Sequence, residues 1–335
     1  MKSRLFGGLS PRAFLRRYWQ KRPLFVPQAL PQLRGVVELR QLVALASRED
    51  VESRMVERRG NRWDTRHGPF DKPQIRKTNF TLLVSGVNLH VAAADALLRR
   101  FAFIPQARLD DVMVSYATPG GGVGPHVDSY DVFLLQGPGL RRWKFNNQTI
   151  VANPGDLLYL PPGVEHDGVA LEPCYTYSIG FRAPRGAELG AAFLDWLHER
   201  GMPDAQYRDP GLAPVVHPAR IPAGMLSFTA DLLSRIRWSR RDAADFLGRY
   251  LSQPKPHVVF RKSGGRGGVA RLDAKTQLLY SGARFFINGE SFTVKKAQVR
   301  ALRELADRRG IEAKRLAGLS HLIAEWQRAG YLHYG

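Results

Sequence analysis

Two histidines and one aspartate stand in patterns that favour a shared metal site. Residues 120–128 read Gly-Gly-Gly-Val-Gly-Pro-His-Val-Asp and end in His126 and Asp128. Because alternate residues of a strand point to the same side, these two side chains are expected to face one ion. Further along, a Pro-Pro-Gly turn at 161–163 delivers a second histidine, His166. Two imidazoles and one carboxylate are the ligand set of non-haem iron(II) oxygenases, which leaves coordination positions open for reactants.

The length and composition limit the class of protein. The chain has 335 residues, enough for two or three domains. Its single cysteine, Cys174, excludes an intrachain disulfide framework and a cysteine-cluster metal site. No stretch is apolar enough to span a bilayer, and the basic start of the chain does not read as a secretion signal. We therefore expect a cytoplasmic protein without a membrane partner.

The formal net charge is +20, which invites a nucleic-acid interpretation. The excess of basic side chains lies in the two flanks, whereas residues 101–200 carry more acidic than basic groups. A site built in this middle part suits a cationic substrate better than a phosphate backbone. We do not expect nucleic acid as a specific partner, and solvated surface is an equal explanation for the basic flanks.

The elements that must position the three ligands are short strands. Apolar side chains alternate with period two between 109 and 181, and Gly, Pro and Asn turns separate the runs. This spacing predicts an antiparallel sandwich or barrel. The predicted strands are 112–116, 127–136, 141–146, 156–160 and 175–182. Helical periodicity predicts helices at 10–20, 39–47, 90–101 and 188–200.

The rest of the chain alternates between linkers and small structured segments. A proline-rich linker at 203–222 precedes two helical stretches within 223–251, which are too short to bury a core alone and so are expected to pack on another domain or a second copy. The segment 253–256, Gln-Pro-Lys-Pro, predicts a second boundary. Beyond it, Asn288-Gly289 predicts a tight hairpin within 285–294, followed by helices at 296–308 and 320–329, in a winged-helix-like arrangement.

The two histidine motifs together resemble those of cupin barrels. A glycine stands five residues before His126, and the second motif reads Gly155-x5-Pro-x-Gly-x2-His166. With them, the chain resembles the Jumonji-C branch of the 2-oxoglutarate-dependent oxygenases. The segments 14–26, 109–113, 119–128, 130–133 and 177–184 resemble the bacterial ribosomal oxygenases, which hydroxylate an arginine of a large-subunit ribosomal protein. The connection between the two motifs is more compact here than is typical of that group.

The resemblance implies an architecture, cofactors and partners. The fold would be mainly β with helical additions: a double-stranded β-helix (cupin or jelly-roll) catalytic domain at 1–200, a helical linker and dimerisation segment at 201–254, and a winged-helix-like domain at 255–335. The ligands His126, Asp128 and His166 would hold Fe(II), with 2-oxoglutarate and O2 as co-substrates. The partners would be a large-subunit ribosomal protein as substrate and a second copy of the chain.

The resemblance also implies roles for five further residues. Arg141, fifteen residues after His126, would bind the distal carboxylate of 2-oxoglutarate, and strand alternation favours it over Arg142. Ser115 and Ser178 would support the co-substrate, with a bond to a neighbouring backbone carbonyl as the equal alternative. Asp111 and Tyr130 would form the substrate arginine pocket, although a strand-edge carboxylate in water is an equal interpretation of Asp111.

Other functions stay open at this point. A nucleic-acid-binding cupin protein would use the basic tail, namely Arg261, Lys262, Arg266, Arg271, Lys295 and Lys296. An oxygenase of the same class could hydroxylate a histidine or asparagine, or demethylate a methylated side chain, of another protein. A cupin isomerase would use a metal without redox chemistry and would not need Arg141.

Overall fold

The computed structural model describes residues 4–33, 35–262, 265 and 267–335, so the predicted phosphate contact at Arg266 lies outside the described residues. The first part of the chain alternates short helices and strands. They are α1 (Pro11–Arg17), β1 (Leu24–Val26), α2 (Leu39–Ala46), β2 (Ser53–Arg59), β3 (Arg62–His67), β4 (Phe80–Val84) and α3 (Ala92–Arg99). The three predicted helices are confirmed. Helix α1 begins where Ser10 accepts a hydrogen bond from the Ala13 amide, and it ends earlier than predicted.

Eight strands then follow, as the alternation predicts in outline. They are β5 (Leu109–Ala117), β6 (His126–Val127), β7 (Val132–Gln136), β8 (Arg141–Phe145), β9 (Gln148–Ala152), β10 (Leu157–Leu160), β11 (Glu165–Ala170) and β12 (Cys174–Phe181). They form two antiparallel sheets, of order β1-β10-β7-β12-β5-β4-β2-β3 and β6-β11-β8-β9. This double-stranded β-helix confirms the predicted fold class.

The prediction of one strand over 127–136 is wrong. The strand breaks because β6 pairs with β11 in the small sheet, whereas β7 pairs with β10 and β12 in the large one. The chain crosses between the sheets at 128–131. There the fully buried Asp131 accepts hydrogen bonds from the Tyr159 hydroxyl at 2.6 Å and from Gln20 Nε2 at 3.0 Å. Asp128 therefore lies just beyond the strand that carries His126, not on it.

Two apolar layers hold the barrel. The larger packs the big sheet against the N-terminal helices through fully buried rings such as Phe14, Phe133 and Tyr159. The smaller lies between the two sheets and includes Leu134 and Trp143. Burying each large side chain contributes roughly 1.5–3 kcal/mol, so the layers fix the strands that carry the metal-ligand motifs.

The remaining chain forms helices and a compact C-terminal unit. The helices are α4 (Gly186–Glu199), α5 (Ala223–Ser234) and α6 (Arg240–Ser252). The unit consists of β13 (Val269–Leu272), β14 (Leu278–Ser281), β15 (Arg284–Ile287), β16 (Glu290–Thr293), α7 (Lys296–Arg308), β17 (Gly310–Glu312), α8 (Ser320–Ala329) and β18 (Leu332–Tyr334). The predicted hairpin is confirmed, because Asn288 and Gly289 adopt φ of 49° and 94° between β15 and β16.

Helix α6 packs on this hairpin. Arg249 donates a 2.7 Å hydrogen bond from Nη2 to the Ser291 hydroxyl, and Asp245 pairs with Arg284. The domain limits at 200 and 254 stay predictions. Among the described helices, none combines the length and the apolar character needed to cross a bilayer.

Candidate active site

The three predicted metal ligands converge at one end of the small sheet. His126 on β6 lies directly opposite His166 on β11, and Asp128 follows β6. Their candidate ligand atoms all lie within 4.8 Å of one another, and His166 Nε2 is 3.7 Å from Asp128 Oδ2. The Gly163 amide donates a 2.9 Å hydrogen bond to the Asp128 carbonyl, which ties the Pro-Pro-Gly turn to the first motif. Two distant segments thus place three donors around one point.

Backbone carbonyls fix the tautomer of both histidines. His126 Nδ1 lies 2.9 Å from the Gly124 carbonyl, and His166 Nδ1 lies 3.0 Å from the Val164 carbonyl. A carbonyl oxygen can only accept, so each Nδ1 carries the proton and each Nε2 keeps its lone pair. This is the second contact that orients an imidazole ligand in metal sites.

The protonation state also suits a metal. Burial lowers the pKa of His166, and the neighbouring His126 lowers it further, so the ring is neutral at pH 7. Two imidazoles and a carboxylate that meet on one side of a cavity fit a ferrous ion with open positions.

Glycines let the loop before His126 approach both sheets. A Cβ on Gly121 would stand 2.2 Å from the Phe80 carbonyl oxygen, and one on Gly122 would stand 2.5 Å from the Gly168 carbonyl oxygen. Both neighbours are backbone atoms, so no side chain can be accommodated without moving a strand. The glycine run that the sequence shows is therefore required for His126 to reach the small sheet.

Arg141 is a buried cation that has an unused donor. Its side chain on β8 alternates inward with Trp143 and Phe145, as predicted, while Arg142 is only partly buried. Its Nη2 donates to the Ser115 hydroxyl at 3.1 Å, and its Nε has no hydrogen-bond partner. No carboxylate of the described residues pairs with it. A buried guanidinium in this state calls for an anion.

Two predicted hydroxyls lie near this cation. Ser115 on β5 is buried and accepts the hydrogen bond from Arg141, and its hydroxyl donates to no backbone carbonyl among the described residues. Ser178 on β12 pairs in register with Met113 and lines the same cavity. Within the described chain, the Ser178 hydroxyl makes no hydrogen bond, which leaves it available to a ligand.

Asp111 and Tyr130, the residues expected to bind the substrate arginine, line the mouth of this cavity. The Gly86 amide donates to Asp111 Oδ2 at 2.7 Å, and burial raises the pKa of Asp111 although Lys255 acts against this shift. Tyr130 is 39% exposed, and burial of its hydroxyl, with the Asp128 carboxylate, raises the pKa of Tyr130 to about 12. Asp111 is thus held by the fold and is not a carboxylate in free water.

One cavity of about 470 Å³ brings all of the predicted site residues together. It is lined by His126, Asp128, His166, Arg141, Ser115, Ser178, Asp111 and Tyr130. The sequence did not predict Glu52 and Arg54, which lie at the start of β2, or Lys255, which comes from the segment after α6. The only local signal for Lys255 is that two prolines flank it.

Comparisons with known proteins agree with this architecture. A family model described as the JmjC domain matches residues 96–150 and 146–189, and one described as the ROXA-like winged helix matches residues 235–333. The fold and the three-ligand cavity thus define a JmjC oxygenase with an appended winged helix.

A curated relative and a solved structure are each similar to this chain over most of their length. The Escherichia coli ribosomal protein uL16 3-hydroxylase is 34% identical over 265 residues, which are 72% of this chain and 71% of the relative. A structure of the ribosomal oxygenase YcfD from Escherichia coli in complex with cobalt and 2-oxoglutarate has a TM-score of 0.80 at 31% identity, over 97% of this chain and 98% of that one. This chain therefore belongs to the bacterial ribosomal oxygenases.

Proposed function

We propose that this chain is a hydroxylase dependent on Fe(II), 2-oxoglutarate and O2 that modifies an arginine of a large-subunit ribosomal protein. One observation carries the proposal. A three-donor metal cluster and a buried guanidinium without a carboxylate partner among the described residues line the same cavity. A non-redox cupin isomerase would have no need of the second feature.

The metal and the co-substrate supply the oxidising chemistry, in which 2-oxoglutarate is decarboxylated to succinate while one oxygen atom enters the substrate. His126, Asp128 and His166 would hold the iron, with both Nδ1 atoms anchored to backbone carbonyls. Arg141 and Ser115 would receive the distal carboxylate of 2-oxoglutarate, because a guanidinium fork matches a carboxylate. Ser178 would add a hydroxyl contact to the co-substrate.

The mouth of the cavity supports a cationic substrate. Asp111 can accept a charge-assisted hydrogen bond from a guanidinium, and the Tyr130 ring can stack on its planar face. Both side chains line the same cavity as the metal ligands, so a bound arginine would lie in the cavity that holds the reactive centre. An asparagine side chain has no positive charge and an imidazole has no two-pronged donor, so a buried carboxylate at this position suits a guanidinium better than either.

The substrate protein is proposed by analogy with the relatives. The uL16 3-hydroxylase acts on a ribosomal protein, as its name states, and it spans most of this chain. A ribosomal substrate also requires that the enzyme work in the cytoplasm, where ribosomal proteins are made and assembled.

The helical segment supports a homodimer. Residues of α5 and of the linker before it expose apolar side chains, among them Val216, Leu226 and Leu233. Helix α5 buries none of its residues within one chain. Light scattering should give twice the chain mass of 37.6 kDa, and a single-chain mass would reject the dimer.

Mass spectrometry tests the function directly. With Fe(II), O2, 2-oxoglutarate and a fragment of the ribosomal protein, one arginine should gain the mass of one oxygen atom, and succinate should be released. The gain should vanish in His126→Ala. A gain on histidine or asparagine, or the loss of a methyl group, would reject the substrate and keep the reaction class. Absence of succinate release would reject the class.

The nucleic-acid alternative has its own test. Binding that stays tight near 200 mM salt and depends on sequence would favour it, whereas binding that fades with salt reflects generic charge.

A further inference from the structure

Lys255 reaches from the linker after α6 into the acidic mouth of the active cavity. Its Nζ lies 3.3 Å from Asp110 Oδ1 and 3.7 Å from Asp111 Oδ2. Burial alone would lower the pKa of Lys255, but Asp111 and Asp110 outweigh it and raise that pKa, so the ammonium is charged at neutral pH. The Lys255 ammonium thus lies beside Asp111, the carboxylate that we propose binds the guanidinium of the substrate.

Lys255 also marks the passage between two cavities. A second groove of about 510 Å³ lies between the end of the barrel and the segment after α6, and its walls include Phe181, Pro184 and Tyr250. Of the residues that the structure describes, three line both this groove and the active cavity, namely Asp110, Tyr130 and Lys255. A peptide lying in the groove would insert a side chain toward the metal ligands past these three.

When the Lys255 ammonium leaves, neither Asp110 nor Asp111 is left as a buried charge without a partner. Asp110 keeps Arg182, whose Nε lies 3.5 Å away, when Lys255 leaves. Asp111 keeps the Gly86 amide, and its second oxygen, Oδ1, has no donor among the described residues. An incoming guanidinium could therefore bind Asp111 with two donors, one to each oxygen. Lys255 itself is 33% exposed, so its ammonium can move into water.

We propose that Lys255 occupies, in the free protein, the cation site that the substrate's arginine takes, and that its linker withdraws when the substrate binds. The inference rests on the proposed function, because it assigns the Asp111 site to a substrate cation. It makes Lys255 a specificity-determining residue, since only a side chain that pairs better with Asp111 than an ammonium does can displace it. It also couples substrate binding to the linker that leads into the winged-helix unit. Pro254 and Pro256 stiffen this linker on both sides of Lys255.

Binding of N-acetyl-arginine amide, measured by calorimetry on the full chain, tests the proposal. Lys255→Met should bind this probe about five to ten times more tightly than the unmodified protein, because the ammonium that pairs with Asp111 is gone. Lys262→Met removes the same charge from an exposed nearby position and should leave the affinity unchanged. Adding Asp111→Asn to Lys255→Met should abolish the gain. Equal affinity in Lys255→Met and the unmodified protein, or no binding to either, would overturn the proposal.

These outcomes separate the inference from the function it rests on. If Lys255→Met gains affinity for the probe but mass spectrometry finds no hydroxylated arginine, the cation site stands and the proposed substrate fails. If arginine is hydroxylated but Lys255→Met gains no affinity, the substrate stands and the role of Lys255 fails.

Discussion

Arg141 donates a 3.1 Å hydrogen bond to Ser115 from a side chain that is only 4% exposed. This is the only hydrogen bond of that guanidinium within the described chain, and its Nε atom has no partner. A cation in this state lowers stability until an anion binds. The pair therefore supports our proposal that Arg141 and Ser115 receive the distal carboxylate of 2-oxoglutarate.

Replacing Arg141 should weaken the binding of 2-oxoglutarate without lowering the free energy of unfolding. We expect Arg141→Met to weaken 2-oxoglutarate binding by about 100-fold, because a charge-assisted contact worth roughly 3 kcal/mol is lost. Calorimetric titration measures this affinity. Without ligand, the free energy of unfolding should stay equal or rise, since an incompletely paired buried charge is removed. Arg142→Met, next to it on β8, should change neither quantity. An Arg141→Met variant that is less stable but binds 2-oxoglutarate with unchanged affinity would contradict the assignment.

The crossing between the sheets should depend on the hydroxyl of Tyr159. This hydroxyl donates to the buried Asp131 at 2.6 Å and accepts from the backbone N–H of Gln20 at 2.8 Å. It therefore joins the segment after α1 to the barrel. Tyr159→Phe should lower the free energy of unfolding by about 2 kcal/mol in urea titrations. Tyr280→Phe removes a hydroxyl from a ring that is 38% exposed, and it should cost less than about 0.5 kcal/mol. Equal losses in the two variants would show that the crossing does not depend on this network.

The glycine loop should tolerate no side chain at Gly121. Gly121→Ala would place its Cβ against the Phe80 carbonyl oxygen, so either the loop or β4 would have to move. This change should lower the free energy of unfolding by more than about 3 kcal/mol. Gly190→Ala in α4 has no atom within 4 Å of its new Cβ and should be neutral or stabilise by about 0.5 kcal/mol. Thermal unfolding compares the two. A stable Gly121→Ala variant that still binds metal would refute the close approach.

Stability should depend on pH through His90. Burial, followed by the charges of Arg48 and Lys275, lowers the pKa of His90 to about 4 from its usual 6.5. Between these two pH values the His90 site binds more protons in the unfolded chain than in the folded one. The contribution of His90 to the free energy of unfolding is therefore complete above about pH 6.5, and it falls as the pH drops toward 4. Between pH 7.5 and pH 4.5 the free energy of unfolding, measured in urea, should fall for both proteins. The fall should be roughly 2 kcal/mol smaller for His90→Gln than for the unmodified protein. The exposed His217→Gln serves as the control. Parallel pH curves for His90→Gln and the unmodified protein would contradict the prediction.

Local signals were sufficient for much of the fold and for the metal ligands. The Ser10-Pro11 cap marks α1, Asn288-Gly289 marks the last hairpin, and the motifs that end in His126 and His166 carry their own turn residues. Such features depend on neighbours in sequence, so a single chain displays them.

Features that depend on distant partners were not predictable. Strands β2 and β3 are rich in charge and form one end of the large sheet, so no apolar alternation reveals them. The break after β6 arises because its two sides pair in different sheets. Lys255 enters the cavity through tertiary packing of a linker more than 80 residues beyond His166.

We expect His126, Asp128 and His166 to bind one ferrous ion together. Anaerobic equilibrium dialysis of Fe(II) measures this most directly. The unmodified protein should retain one ion per chain, and His126→Ala, Asp128→Ala and His166→Ala should each weaken binding by more than about 100-fold. His198→Ala, at an exposed position of α4, should bind normally. Undiminished iron binding by the three ligand variants, or no binding by the unmodified protein, would contradict the account.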